Sequence, residues 1–305
     1  MGMGAEFYAS TPSARALFDR ADEILGYPLS RLCFEGPEDE LRLTVHTQPA
    51  LYVTSCAALA ALRKRTSVEP YAVAGHSVGE YAALYAVGAF DFAAGLRLVA
   101  RRAELMHRAS EERPGAMAAV LGLDADTVRR VVAECGAAGV VGVANYNCPG
   151  QIVISGERGA VEEAGRMLKE AGAKRVLPLP VSGGFHSALM ADAGAALASA
   201  LHGAPFRKVR APVVANVSAR YCLDPSGLAA NLAEQVSGSV RWEESMRLLL
   251  ADGVSVFLEL GCGDVLTGLM KRIDRDARAM SVQDLASLDA AVAELARLEG
   301  DTGEI

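Results

Sequence analysis

Short apolar runs alternate along the chain with longer segments in which apolar residues recur at every third or fourth position. The short runs are typical of buried strands and the longer segments of amphipathic helices. This alternation predicts an α/β protein with a largely parallel main sheet. The predicted strands of that sheet cover residues 71–75, 212–215 and 254–260. The predicted helices cover residues 12–26, 48–65, 80–87, 91–108, 187–202, 241–251 and 264–274, and a terminal helix begins near residue 284.

Residues 115–181 follow a different order, which is ferredoxin-like: strand, helix, two strands, helix, strand. The six predicted elements cover residues 116–121, 124–135, 139–145, 151–155, 159–171 and 174–179. The segments on either side both belong to the larger α/β body. We therefore expect a small domain, 115–181, inserted into a discontinuous large domain formed by 1–114 and 182–305, with a cleft between the two.

Composition narrows the classes of protein. The 305 residues are 51% hydrophobic, but charges interrupt the apolar runs before the roughly 20 residues that a membrane span needs, and the first residues lack a secretory signal. A net charge of −7 gives no overall attraction to nucleic acid. The six cysteines are scattered without a Cys-x-x-Cys pair, which favours free thiols over disulfides or a structural metal. We expect a cytoplasmic protein without a membrane, nucleic-acid or metal partner.

The strongest chemical signal is a glycine-flanked serine, in the run Gly75-His76-Ser77-Val78-Gly79. It follows a predicted strand and precedes a predicted helix, as in a nucleophile elbow, which would expose the Ser77 hydroxyl above the sheet. The Val78 N–H at the helix start would favour a developing oxyanion. An ordinary strand-to-helix turn is the alternative, since the bare pattern also arises by chance in a glycine-rich chain.

A serine nucleophile needs a base, and two of the five histidines are candidates. His76 would point away from Ser77 on a tight turn, which favours a packing role. His186 lies in a loop at the end of the inserted unit, where it would border the cleft; it is either the base or a polar residue at a helix start. Surface positions are predicted for the remaining histidines, His46, His107 and His202.

The helix predicted over 91–108 carries four arginines, most of which would form a solvated face. Arg102 instead aligns with Leu98 and Val99 on the apolar side. A guanidinium there could pair with a substrate carboxylate, although membership of the solvated face is the alternative.

Four motifs stand out along the chain: Gly75-His76-Ser77-Val78-Gly79-Glu80-Tyr81-Ala82-Ala83-Leu84, Asn145-Tyr146-Asn147-Cys148-Pro149-Gly150-Gln151, Phe185-His186-Ser187 and Val265-Leu266-Thr267-Gly268-Leu269-x-Lys271-Arg272-Ile273. Together they resemble the malonyl-CoA:acyl carrier protein transacylases, a family whose motifs polyketide-synthase acyltransferases share. Their order and spacing match that family over nearly the whole chain.

The resemblance implies an α/β-hydrolase-like large domain and assigns site residues. Ser77 is the acylated nucleophile, His186 is the base, oriented by a backbone carbonyl, and Arg102 binds the malonyl carboxylate. Phe185 restricts the α-substituent, favouring malonyl over methylmalonyl groups. The substrate-binding positions that the resemblance implies are Arg102, Gln235, Val78, Phe185, Gln48 and Asn147.

The function implied by the resemblance is ping-pong transfer of a malonyl group from malonyl-CoA to the phosphopantetheine thiol of an acyl carrier protein, for fatty-acid or polyketide synthesis. No bound cofactor is expected, since the carrier protein brings the phosphopantetheine. A monomer is the default expectation. The carrier protein is acidic, and a hypothesised docking patch consists of Lys271, Arg272, Arg275 and Arg278.

The chain departs from the family pattern at its beginning. The family starts with a strand ending in a Gly-Gln-Gly-Ser-Gln loop that supplies a second oxyanion N–H, and this sequence begins at the downstream Gly2-Met3-Gly4. Cys262 also stands where the family usually has Pro. Two alternatives stay open. One is a hydrolase, since serine esterases share the elbow and editing hydrolases of acyl carrier proteins share the fold, although Arg102 argues against it. The other is an impaired carrier-protein-binding module, since the first strand of the family pattern is missing.

Overall fold

Helices build most of the chain before residue 115, and one short strand leads into the predicted elbow. The computed structural model describes residues 1–181 and 183–302. The helices of this part are α1 (Ala5–Ser10), α2 (Pro12–Leu25), α3 (Leu29–Glu35), α4 (Glu38–Leu41), α5 (Thr44–Leu62), α6 (Gly79–Ala86) and α7 (Phe92–Glu112), and the strand is β1 (Val73–Ala74). Helix α5 begins four residues earlier than predicted, because Pro49 lies inside the helix instead of in its first turn.

The elements between residues 115 and 178 follow the predicted order. They are β2 (Gly115–Leu121), α8 (Ala125–Glu134), a 3₁₀ turn (Cys135–Ala138), β3 (Val141–Cys148), β4 (Gln151–Glu157), α9 (Arg158–Glu170) and β5 (Arg175–Pro178). The four strands form one sheet in the order β3-β4-β2-β5, and every neighbouring pair is antiparallel. Helices α8 and α9 cover this sheet and enclose an apolar cluster that includes Val128, Ile154 and Leu168.

The rest of the chain returns to alternating helices and strands. It consists of a 3₁₀ turn (Ala188–Met190), α10 (Ala191–His202), β6 (Val213–Val214), β7 (Tyr221–Cys222), α11 (Pro225–Gln235), α12 (Trp242–Ala251), β8 (Val256–Leu260), α13 (Val265–Ile273), β9 (Arg278–Val282) and α14 (Leu285–Thr302). Ser182, at the predicted domain boundary, and residues 303–305, the end of the predicted polar tail, lie outside the described ranges.

The strands outside 115–178 form two small sheets, which corrects the prediction of one main sheet. In the first, β1 pairs in parallel with β6, and β6 pairs in antiparallel fashion with β7. The second holds β8 in parallel with β9. An apolar run predicts that a strand forms but not which strand it pairs with. Strand β9 was not predicted, because it has a weak apolar pattern with only one buried residue, Val282. The chain is thus a mixed α/β protein with small sheets.

A large apolar core lies beside the elbow and holds it in position. Helices α5, α6 and α7 pack together and bury the rings of Tyr52 and Tyr81 with Leu84 and Leu96. The Asp91 side chain caps α7 by accepting a hydrogen bond from the Ala94 N–H at 2.8 Å. None of the helices in residues 1–181 and 183–302 is long and apolar enough to cross a membrane.

One backbone segment, 237–241, joins the small antiparallel sheet to the rest of the protein. The Val240 N–H donates to the Ala144 carbonyl at 2.8 Å, and the Val240 carbonyl accepts from the Tyr146 N–H at 2.9 Å. The Ser239 hydroxyl donates to the Val143 carbonyl at 2.6 Å. The middle of strand β3 is therefore hydrogen-bonded to the loop that precedes α12.

Candidate active site

Ser77 occupies a strained turn between β1 and α6. Its φ of 52° lies in the left-handed region, which is costly for a residue with a side chain and is often found at reactive positions. A Cβ atom on Gly75 would collide with the backbone of Gly79 and Glu80, so only glycine allows this close approach. The local backbone is thus that of a nucleophile elbow.

His186 lies within hydrogen-bonding distance of this serine. The Ser77 Oγ and His186 Nε2 atoms are 2.8 Å apart. On the other side of the ring, Nδ1 lies 2.8 Å from the Gln235 carbonyl and 3.1 Å from the Gly238 carbonyl. A carbonyl only accepts, so Nδ1 carries the proton and Nε2 is left to accept from the serine hydroxyl. The pair has the geometry of a nucleophile and its base.

The surroundings keep His186 neutral. Burial, followed by the neighbouring positive charge of Arg102, lowers the pKa of His186 to about 3. At neutral pH the imidazole is neutral, with its Nε2 unprotonated and ready to accept a proton from Ser77. The two carbonyl acceptors oppose this shift but do not cancel it.

Arg102 brings a buried positive charge to the same serine. Its side chain is 1% exposed. Its Nη2 donates to Ser77 Oγ and to Gln235 Oε1, both at 3.0 Å, and its Nη1 donates to Gln48 Oε1 at 2.5 Å. Its Nε–H has no acceptor among the described residues. Burial lowers the pKa of Arg102, and the Tyr81 ring lies 5.9 Å from the guanidinium carbon.

Asn216 and Gln235 hold the backbone of the elbow. Asn216 Oδ1 accepts from the Ser77 N–H, and its Nδ2 donates to the Gly75 carbonyl, both at 2.7 Å. Gln235 Nε2 donates to the Ser77 carbonyl at 3.0 Å. The strained turn is therefore tied on both sides by buried amides.

Glu80, in the first turn of α6, links Gln235 and Asn216 to each other. Its Oε2 accepts from Gln235 Nε2 at 2.7 Å and from the Asn216 N–H at 3.2 Å. No role is predicted for Glu80 or Asn216 from the sequence. The available signal for Asn216 was its position two residues after β6, the strand that runs parallel to β1, because functional side chains gather where parallel strands end.

The Val78 N–H is free to serve as an oxyanion donor. It makes no hydrogen bond to any described residue, and it lies beside Ser77 at the start of α6. A donor in this position would stabilise the negative oxygen of a tetrahedral intermediate.

The structure distributes the remaining predicted residues unevenly. Gln48 joins the site through Arg102, whereas the half-buried Phe185 packs against the cluster of Met117, Ala144 and Val153. Asn147 does not contact the nucleophile: its Oδ1 lies 2.9 Å from His76 Nε2, and the His76 ring packs against Trp242. The residues that lie away from the site are the half-buried His46 and His107, the exposed His202, and the exposed Arg97, Arg101 and Arg108.

Comparisons with known proteins agree on one family. A family model described as "Acyl transferase domain" matches residues 1–294. The malonyl CoA-acyl carrier protein transacylase of Bacillus subtilis (strain 168) is 44% identical over 296 residues, which cover 97% of this chain and 93% of that protein. The polyketide biosynthesis malonyl CoA-acyl carrier protein transacylase PksC of the same strain is 42% identical over 281 residues, covering 92% and 94%.

A solved structure of similar shape includes a carrier protein. It is described as PlMCAT:AntF, a type II PKS acyl-carrier protein in complex with its malonyl-transacylase. The match has a TM-score of 0.94 at 41% identity and covers 96% of this chain and 95% of that one. A crystal structure of an acyl-carrier-protein S-malonyltransferase from Burkholderia pseudomallei 1710b matches with a TM-score of 0.93 at 42% identity, covering 96% and 95%.

Proposed function

This chain belongs to the acyl transferase domain family, and from that membership we propose that it transfers a malonyl group from malonyl-CoA to the phosphopantetheine thiol of an acyl carrier protein. Relatives of this name match nearly its whole length. The single observation that carries the proposal is the buried guanidinium of Arg102, 3.0 Å from the hydroxyl of Ser77. A serine acyl-enzyme formed there would hold its acyl group beside a fixed positive charge.

The first half-reaction uses Ser77, His186 and Val78. Ser77 Oγ attacks the thioester carbonyl while His186 Nε2 takes the hydroxyl proton, and the Val78 N–H stabilises the resulting oxyanion. The intermediate collapses by breaking the carbon–sulfur bond. Coenzyme A leaves as a thiol with the proton returned by His186, and the malonyl group stays on Ser77 as an ester.

The second half-reaction reverses these roles with a new thiol. The phosphopantetheine thiol gives its proton to His186 and attacks the ester carbonyl. Collapse of this second intermediate breaks the bond to Ser77 Oγ, which recovers its proton from His186. The malonyl group leaves as a thioester of the carrier protein, and the enzyme returns to its starting state.

Arg102 is the proposed source of acyl selectivity. A malonyl group ends in a carboxylate that pairs with the guanidinium, and an acetyl group has no such partner. Hydrogen bonds to charged groups contribute about 1.5–3 kcal/mol each, so one such contact corresponds to a preference of roughly 10- to 100-fold. The contact would also hold the ester in one place and oppose its hydrolysis.

The alternatives of an editing hydrolase and an impaired binding module receive no support from the relatives, whose names describe malonyl transfer. A buried arginine beside the serine likewise favours a carboxylated acyl group that is passed on. The proposed pathway is fatty-acid or polyketide synthesis, and one matching relative is named for polyketide biosynthesis.

We also propose the domain organisation expected from the sequence: a ferredoxin-like unit, 115–181, inserted into an α/β-hydrolase-like body. The antiparallel strand order β3-β4-β2-β5 and the separate apolar cluster under α8 and α9 support the inserted unit. The parallel pair β1-β6 with its elbow supports the second description. A cytoplasmic monomer without a bound cofactor or metal completes the proposal, and its six free cysteines suit a reducing compartment.

Competition between two donors tests the function. Holo acyl carrier protein is incubated with the enzyme and equal concentrations of malonyl-CoA and acetyl-CoA, and its intact mass is measured. We expect a malonyl adduct that disappears with Ser77→Ala and loses its preference over acetyl with Arg102→Ala. Free malonate without an adduct would indicate hydrolysis, and neither product would refute the transferase assignment.

A further inference from the structure

Glu80 and Arg102 are an unusual pair in this protein. Among the residues that the structure describes, Glu80 is the only buried carboxylate and Arg102 is the only buried Lys or Arg side chain, each 1% exposed. Burying a charged side chain costs free energy unless an opposite charge lies close to it, so the presence of both groups at one site calls for a functional reason. The transfer chemistry described above uses Arg102 but leaves Glu80 without a role.

The two charges meet through one neutral amide. Gln235 Nε2 donates to Glu80 Oε2 at 2.7 Å, and Gln235 Oε1 accepts from Arg102 Nη2 at 3.0 Å. No described carboxylate forms an ion pair with Arg102, whose hydrogen-bond partners are all uncharged. The guanidinium therefore has a counter-charge nearby, yet its donors are not occupied by a carboxylate.

We propose that Glu80 is the displaced counter-charge of Arg102 and lowers the affinity of the acyl site for the malonyl group: ionised when the acyl site is empty, it takes up a proton when a substrate carboxylate pairs with Arg102. The inference rests on the proposed function, since it concerns how a carboxylated acyl group is accommodated. Glu80 touches no substrate in this account and acts through the Gln235 amide.

Electrostatics gives the reason for the proton. With the malonyl carboxylate in place, two negative groups would share one buried guanidinium, and like charges in a buried site disfavour each other's ionised form. Glu80 is the group able to yield, because burial raises its pKa to about 7 against the opposing hydrogen bonds and the charge of Arg102. The other titratable groups whose charge bears on Glu80 are Tyr81 and Cys222, and burial raises the pKa of both, so that they stay neutral.

The consequence is a proton linked to binding. At pH 7.5, Glu80 with a pKa of about 7 is mostly ionised, so binding of malonyl-CoA would take up about 0.8 proton. The same protonation costs about 0.8 kcal/mol at that pH, which weakens malonyl-CoA binding about fourfold. A Glu80→Gln side chain keeps an oxygen to accept from Gln235 and Asn216 but has no charge to lose. It should bind malonyl-CoA about fourfold more tightly and without proton uptake.

Calorimetry in buffers of different ionisation enthalpy measures this directly. Binding of malonyl-CoA and acetyl-CoA is compared in Ser77→Ala, which cannot be acylated, with and without Glu80→Gln. Acetyl-CoA is the matched ligand because it shares every titratable group of the coenzyme. Glu259→Gln is the matched substitution, since Glu259 accepts from the Leu266 and Thr267 N–H groups at 2.9 and 2.7 Å away from the site.

We expect proton uptake with malonyl-CoA alone, its loss in Glu80→Gln and its retention in Glu259→Gln. Equal uptake with both ligands, or uptake that persists in Glu80→Gln, would overturn the inference, as would weaker malonyl-CoA binding by Glu80→Gln. If Glu80→Gln does not fold, the wild-type ratio of KM for malonyl-CoA to KM for acetyl-CoA decides: it should rise from pH 6 to pH 8, and a flat ratio refutes the inference. A wild-type enzyme that transfers no malonyl group would instead refute the proposed function itself.

Discussion

Arg102 Nη2 and Ser77 Oγ lie 3.0 Å apart, although the arginine belongs to the middle of α7 and the serine to the turn before α6. The guanidinium can only donate, so it occupies an acceptor position of the hydroxyl oxygen. The serine proton is thereby directed to the remaining partner, His186 Nε2, at 2.8 Å. One contact thus orients the Ser77 hydroxyl and places a positive charge beside the atom to which the proposed acyl-enzyme would attach its acyl group.

Replacing Arg102 with lysine should separate charge from geometry. Lysine keeps a positive charge but lacks the planar fork that reaches Gln48, Gln235 and Ser77 together. We expect the preference for malonyl-CoA over acetyl-CoA in acyl-enzyme formation to fall by about tenfold. Rapid-quench mass spectrometry of the Ser77 ester with each donor measures this. An unchanged preference would mean that charge alone selects the acyl group.

Removal of the Asn216 side chain should slow acylation by malonyl-CoA and by acetyl-CoA equally. Asn216→Ala leaves the Ser77 N–H and the Gly75 carbonyl without their buried partner. Each unsatisfied group costs about 1–3 kcal/mol, so the free energy of unfolding should drop by about 2–6 kcal/mol. Relaxation of the strained turn would slow acylation from malonyl-CoA and acetyl-CoA alike. Urea unfolding and acylation rates test this, and a selective loss with one donor would contradict it.

The two glycines that flank the nucleophile should respond oppositely to alanine. Gly75→Ala would drive a Cβ into the backbone of Gly79 and Glu80 and should destabilise the protein by about 2 kcal/mol or more. Gly79→Ala meets nothing within 4 Å, at the first residue of α6, and should be neutral or stabilising by up to about 1 kcal/mol. Thermal unfolding of both variants checks the contrast, which equal effects would disprove.

Glu80 should also leave a signature in the pH dependence of stability. Its pKa is raised from 4.5 to about 7 on folding, so its contribution to stability is fully present below pH 4.5 and is lost as pH rises through 7. His186 shifts in the opposite direction, from 6.5 to about 3, and its contribution is lost as pH falls through that range.

Comparing the stability of wild type with that of Glu80→Gln isolates the contribution of Glu80 to the pH dependence. The free energy of unfolding of the variant minus that of wild type should increase by about 3 kcal/mol as the pH rises from 4.5 to 8. Urea titrations at several pH values measure it. Parallel curves for the two proteins would show that Glu80 does not titrate in this range.

Two of the four basic residues in the hypothesised docking patch are available to a carrier protein. Arg272 already donates to Gln151, and Arg278 pairs with Glu294 at 3.0 Å. Lys271 and Arg275 form no ion pair with a described residue. Reversing both charges with Lys271→Glu and Arg275→Glu should raise KM for the carrier protein about tenfold and leave acylation by malonyl-CoA unchanged.

Arg20→Glu with Arg31→Glu is the matched control, because it changes the net charge equally at two surface pairs elsewhere. An equal rise in KM would point to overall charge, and no rise in either variant would remove the patch from consideration.

Local signals in the sequence were sufficient for much of the fold and for part of the site. The order of elements in 115–178, the elbow at Ser77 and the apolar side of α7 that buries Arg102 all depend on neighbours in the chain. The contacts of Asn216 and Gln235 with the elbow join residues 139 and 158 positions apart, and no local pattern encodes them. The pairing of β8 with β9 and the contact between Asn147 and His76 depend likewise on packing between distant segments.

The segment 237–241 has a consequence for protein engineering. Its Gly238 carbonyl lies 3.1 Å from His186 Nδ1, while two residues further on Val240 is hydrogen-bonded to β3 in both directions. The small sheet is thus not a free-standing cassette. A chimera that imports 115–181 from a relative must therefore reproduce the backbone path of β3 at Ala144 and Tyr146. Otherwise the segment 237–241 will shift, and with it the Gly238 carbonyl that helps to fix the tautomer of His186.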